Sequence, residues 1–164
     1  MHNTLLLRAD SVATDRWRWL RLGPEGTPEG SIHIGSLQHA ADEAGGLRVV
    51  VLVPGADCLL TQVRIPGSNR QKLLRAVPYA LEEQLSDDVE QLHFAVGEQA
   101  PDEHWPVVVI SRAYMASLLE LLADAGLDVQ QVIPELLAIP YNEGDLSVLV
   151  SREIALVRTG AASG

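Results

Sequence analysis

Five histidines, one cysteine, a serine beside a glycine and a run of carboxylates are the residues of this chain whose types could do chemistry. His2, His33, His39, His93 and His104 fall in five separate stretches. No two of them stand at the i, i+4 spacing that puts paired metal ligands on one helix face. Cys58 is alone, so neither an internal disulfide nor a multi-cysteine zinc site can form. A lone thiol beside a strand packs as a small hydrophobe. Ser36 lies in Ile34-Gly35-Ser36-Leu37, which lacks the flanking glycines of a nucleophile elbow; a helix N-cap is the more economical reading. The glycines from Gly23 to Gly35 are interrupted by prolines, and no Lys-Ser or Lys-Thr closes them, so they make no phosphate cradle. Neither a metal nor a cofactor is expected.

The carboxylates are the stronger candidates. Glu82, Glu83, Asp87, Asp88 and Glu90 cluster at the polar end of an amphipathic segment and in the loop after it. Paired carboxylates do acid/base work when burial splits their pKa values. A charge run at a helix end is more often a solvated rim. A charged contact surface for another protein comes next, and catalysis last. These five residues are the candidate interaction site.

The bulk composition supports that order. The chain has 164 residues, 47% hydrophobic and 21% charged, which suits one folded domain or two small ones and excludes wholesale disorder. Acidic residues outnumber basic ones 22 to 12, for a formal charge of −10. Such a surface repels phosphate backbones and anionic lipid, so no nucleic-acid partner is expected, whereas a basic protein partner is favoured. The first ten residues lack the charged and apolar regions of a secretory signal. The best apolar run, Val49 to Val53, is too short to span a bilayer. The expectation is a soluble chain in a reducing compartment.

The elements that must position these residues alternate between strand and helix. Thr4 to Ala9 reads as a buried strand, and Arg16 to Leu22 as a half-exposed one, with Arg16 and Arg18 alternating against Trp17 and Trp19. Gly23 to Gly30 is turn chemistry and reads as a surface loop. A short helix covers Leu37 to Ala44, and the β-branched run Leu47 to Val53 suits burial on both faces. Leu59 to Ile65 follows as a strand. Ser68 and Gln71 fit a capping box for a helix whose stripe is Leu74, Val77, Leu81 and Leu85, kinked at Pro78. Strands are expected over Leu92 to Val96 and Pro106 to Ile110. A helix from about Arg112 to Ala125 carries Met115, Leu118, Leu119 and Leu122 and stops at Gly126. Val129 to Ile133 is another strand, Glu135 to Ile139 a helical turn, and Leu146 to Thr159 a hairpin turning at Ser151, Arg152 and Glu153.

The run Leu74-Arg75-Ala76-Val77-Pro78-Tyr79-Ala80-Leu81-Glu82-Glu83-Gln84-Leu85, continued by Asp88 to Gly97, resembles the cytoplasmic segment of the type II secretion system protein L family. Val53-Pro54-Gly55, Pro66-Gly67, the Arg16-Trp17 region and Ala125-Gly126-Leu127 fit that family in the same order. The resemblance implies an α/β fold: an RNase H-like (actin-like) mixed sheet with a small α/β subdomain inserted. Residues 1–57 and 127–160 would form the first part and 58–126 the insert, with 161–164 as a tail. It also implies a non-catalytic docking scaffold at the cytoplasmic face of the bacterial inner membrane. The partners implied are the cytoplasmic secretion ATPase (type II secretion protein E) and other inner-membrane platform proteins, with a homodimer left open. The transmembrane helix and periplasmic domain of the family would lie outside this chain. The alternative is a degenerate actin-like protein that binds nucleotide when its second half is present. Against it, the stretch Arg8 to Asp15, where actin-like ATPases place a phosphate loop, has Asp10, Ser11 and Thr14 but no glycine.

Overall fold

The computed structural model describes residues 3–11, 15–67, 69–150 and 155–160, without the side chains of Asp10 and Ser11. In chain order the elements are β1 (Thr4–Ser11), β2 (Arg16–Leu22), β3 (Pro28–Gly35), α1 (Leu37–Glu43), β4 (Arg48–Val53), β5 (Cys58–Val63) and α2 (Arg70–Leu81). They continue with β6 (Leu92–Val96), β7 (Trp105–Ser111), α3 (Arg112–Asp124), β8 (Val129–Pro134), β9 (Ser147–Val150) and β10 (Ala155–Arg158). The chain divides into two compact units. One is Met1–Pro54 with Tyr114–Glu135, and the other is Gly55–Ala113 with Leu136–Gly164.

The first unit is built on a five-stranded sheet of order β3-β2-β1-β4-β8. Strands β1, β2 and β3 are antiparallel, while β1, β4 and β8 run parallel. An antiparallel meander followed by parallel strands in this order is the RNase H-like arrangement. The sequence explains the layering. In β4 the residues from Val49 to Val53 are all buried, as expected of a central strand covered on both faces. In β2 the tryptophans are buried and Arg16 and Arg18 are exposed, so the period-two reading holds. Ser36 caps α1, its Oγ accepting from the His39 N–H at 3.4 Å, and Asp15 accepts from the Leu37 N–H at 2.9 Å. Arg8 of β1 pairs with Glu135, the residue just past β8, a carboxylate that is only 6% exposed.

The second unit holds a three-stranded antiparallel sheet, β5-β7-β6. On one face Val63, Leu92, Val96, Trp105, Val107 and Val109 form a core with Leu73, Val77 and Leu81 of α2. A separate cluster joins Leu60 to Leu136 and Ile139, with Val108, Leu137 and Leu156 packed against it. Strands β9 and β10 pair antiparallel as a sheet of their own.

Several sequence expectations are corrected. The presumed loop through Gly30 ends early, because Pro28 to Gly35 pairs with β2 as an edge strand. Gly30 takes a φ of 84°, and the register slips between Trp19 and Arg21. Such a distorted edge owes its strand form to its neighbour, and it carries no clear alternation of its own. Helix α2 is capped by Asn69, whose side chain accepts from the Lys72 N–H at 3.1 Å; the Ser68 of the expected capping box lies outside the described residues. Its buried stripe is Leu73, Val77 and Leu81, a strict four-residue spacing, and Leu74 is 43% exposed. Pro78 explains the orientation. Lacking an N–H, it leaves the Leu74 carbonyl without its helical donor, and that carbonyl is best placed where water reaches it.

Helix α3 buries Leu118 and Leu122, but Leu119 is 46% exposed. From Tyr114 onward this helix groups with the five-stranded sheet, and the closing hairpin groups with the three-stranded one. Boundaries drawn at 58–126 and 127–160 therefore differ from the contacts. The physical reason is that α3 feeds β8 directly, whereas Leu136, Ile139 and Leu156 bury themselves beside Leu60. The expected turn at Ser151, Arg152 and Glu153, the expected strand residue Ile154 and the expected tail, 161–164, lie outside the described residues. Because Leu119 faces outward, Leu119→Asp is expected to change stability by less than about 1 kcal/mol, as surface substitutions do. Urea unfolding of the variant beside the parent chain checks this.

Candidate functional site

The acidic segment hangs between two core anchors. Leu81 at the end of α2 is fully buried, and Leu92 at the start of β6 is 6% exposed. Between them the chain makes two tight helical turns, Glu82–Gln84 and Val89–Gln91. The Leu85 N–H donates to the Glu82 carbonyl at 3.2 Å, and the Gln91 N–H to the Asp88 carbonyl at 2.8 Å. Leu85 is half-buried against the core of the unit and pins the middle.

That scaffold directs all five carboxylates outward. Glu82, Glu83, Asp87, Asp88 and Glu90 are exposed, and among the described residues none of them enters an ion pair or side-chain hydrogen bond. Three arginines of the same unit are held elsewhere. Arg70 donates to the Val96 carbonyl at 2.9 Å, Arg112 to the Leu92 carbonyl at 2.8 Å, and Arg64 pairs with Glu103. The negative charge of the segment is thus left for solvent or a partner to answer. Carboxylates held out in solvent on a short anchored segment are placed to meet a basic surface.

Sequence reasoning missed one neighbour. Tyr79, one turn before the acidic segment on α2, is 71% exposed, and Leu74 on the same helix is half-exposed. An exposed tyrosine offers a rigid, amphipathic contact surface. The available signal was that Tyr79 falls off the Val77–Leu81 stripe.

The remaining reactive types stay apart. His33 lies 3.1 Å from a Glu43 oxygen on the first unit, and His93 is exposed on β6. His104 belongs to a turn in which its backbone N–H donates to Asp102 at 3.2 Å. That hydrogen bond is the main reason the Asp102 carboxyl sits below its ordinary pKa. His2 lies outside the described residues. Among the described residues no group of three or more His, Cys, Asp or Glu is placed to hold a metal, and no helix is long and apolar enough to cross a membrane.

An RNase H-like mixed sheet, together with a smaller unit built on a three-stranded sheet, fits the actin-like fold class. The profile of the type II secretion system protein L family matches residues 5–164, and the chain belongs to that family. It is 29% identical over 163 residues to type II secretion system protein L of Dickeya chrysanthemi, covering 98% of this chain and 41% of that protein. Against protein L of Vibrio cholerae serotype O1 the identity is 37% over 119 residues, covering 71% of this chain and 28% of the relative. The chain thus spans less than half the length of these relatives. Among solved structures it is similar to the cytoplasmic domain of EpsL, an inner membrane component of the type II secretion system of Vibrio cholerae. The TM-score is 0.84 at 30% identity, over 98% of this chain and 69% of that one. A chain of the PilM-PilN type IV pilus biogenesis complex shares the fold at a TM-score of 0.60 and 15% identity, over 82% of this chain and 48% of that one.

Proposed function

We propose that this chain is a docking module of the inner-membrane platform of a type II secretion system. It acts at the cytoplasmic face of the membrane and holds the secretion ATPase there without catalysing a reaction itself. Family membership along residues 5–164 supports the place in the system. The observation that carries the docking role is the segment from Glu82 to Glu90, mounted between two buried leucines, whose five exposed carboxylates have no ion-pair partner among the described residues. A rigidly anchored loop of one charge sign steers a basic surface and fixes its register, contributing more to association rate than to affinity per pair. Tyr79, three residues before Glu82 on α2, supplies an exposed aromatic ring close to it in the chain. Other platform proteins are partners by the same membership.

The test is titration of this chain with the N-terminal region of the secretion ATPase. Affinity is expected to fall as salt is raised from low to moderate concentration, because exposed charges are screened over about 10 Å at 0.1 M. Binding that is indifferent to salt removes the electrostatic account.

A further inference from the structure

The free edge of the five-stranded sheet carries two independent features that point to one kind of ligand. Strand β3 is the terminal strand of its sheet, and its residues from Pro28 to Ile34 are all exposed. Ile32 and Ile34 are 63% and 56% exposed. Edge strands are ordinarily defended by lysine, proline or an inward-pointing charge, because a row of unpaired N–H and C=O groups recruits further strands. Strand β3 opens with Pro28 and Glu29 and its register slips opposite Leu20, but from Gly30 to Ile34 it carries no lysine, proline or carboxylate.

The second feature lies on the opposite face of the same strand. Glu29, Ser31 and His33 of β3 line an open cleft of about 320 Å³ with Trp19, Arg21 and Glu43. Glu43 lies 3.1 Å from the His33 ring nitrogen and 3.8 Å from the Arg21 guanidinium. Glu29 enters no ion pair among the described residues. Two carboxylates thus face one guanidinium, and the cleft leans acidic, like the whole chain. Trp19 forms part of the wall, and its buried indole N–H has no acceptor among the described residues.

We propose that β3 is a strand-addition site for an extended segment of a partner protein in which basic and apolar side chains alternate. Pairing supplies the backbone hydrogen bonds that the edge lacks, and alternate side chains of an added strand fall on opposite faces. One row then meets the acidic cleft at Glu29 and Glu43, and the other meets Ile32 and Ile34. This inference concerns the first unit and does not rest on the acidic segment of the second.

The probe is the synthetic peptide Val-Lys-Val-Lys-Val-Lys-Val, blocked at both ends, with hydrogen exchange of the whole chain as the readout. At a peptide concentration about ten times Kd, amides from Glu29 to Ile34 are expected to exchange about tenfold more slowly, while β8, the other edge, is unchanged. Ile32→Lys combined with Ile34→Lys, and separately Glu29→Lys, should each weaken binding by about tenfold or more, because they set like charge against the peptide. A peptide of the same composition with its lysines contiguous should bind at least about tenfold more weakly, since its side chains no longer sort onto two faces. The proposal is overturned by absence of protection at millimolar peptide, by protection of β8 instead, or by equal binding of the contiguous-lysine peptide. Protection of β3 that grows with protein concentration and needs no peptide also overturns it, and assigns the edge to a second copy.

Discussion

Val77→Asp is expected to unfold the α2 unit, lowering stability by about 3–5 kcal/mol. Val77 is fully buried, between Leu73 and Leu81 on one helix face and against the valines of β7. A carboxylate there loses its hydration and finds no cation among Val63, Val96, Val107 and Val109. Leu74→Asp, four tenths exposed and three residues away, is the matched control and should change stability by less than about 1 kcal/mol. Urea midpoints for the two variants separate them, provided the slope of the transition is shared with the parent. Equal midpoints would place the helix in a different rotation from the one described.

Trp17→Ala should cost about 3–5 kcal/mol, the range for deleting a large buried aromatic side chain. Trp17 is 2% exposed, the largest side chain among the described residues with so little accessibility, and it stands opposite Ala9 and Gly35 in the register of β2. Ala9, its partner on β1, has too short a side chain to fill the space the indole leaves. Thermal unfolding followed by circular dichroism measures the loss. A shift as small as that of a surface substitution would mean that β2 is not seated as described.

Where the sequence was legible, it was so for a physical reason. Five consecutive buried residues in β4 and the Arg-Trp alternation of β2 are local patterns, and each forces its own burial. The N-cap at Ser36 is likewise a local hydrogen bond, read directly from the residue type. The failures are of another kind. Strand β3 exists because β2 presents it with partners, which no pattern within residues 28–35 announces. The rotation of α2 turned on choosing between adjacent leucines, 73 and 74, and both fit a stripe of threes and fours. The assignment of α3 depended on which sheet its leucines reach, a tertiary fact. At the acidic segment, residue type and location were legible from the run of charges. Tyr79 was legible only as a position off the Val77–Leu81 stripe; that its ring stands in solvent is a tertiary fact.

The docking account is tested most directly by combining Glu82→Lys, Glu83→Lys and Asp87→Lys in this chain and titrating it with the N-terminal region of the secretion ATPase. Exposed pairs contribute about 0.2–1 kcal/mol each, so single changes are small, whereas three reversals set like charges facing each other. Because all three residues are exposed, the variant should retain the circular dichroism spectrum and urea midpoint of the parent. The account predicts that its affinity for the ATPase falls by about tenfold or more at low salt, and that the loss shrinks as salt is raised. Unchanged affinity in a variant that remains folded would contradict it and move the docking surface away from the Glu82–Glu90 segment.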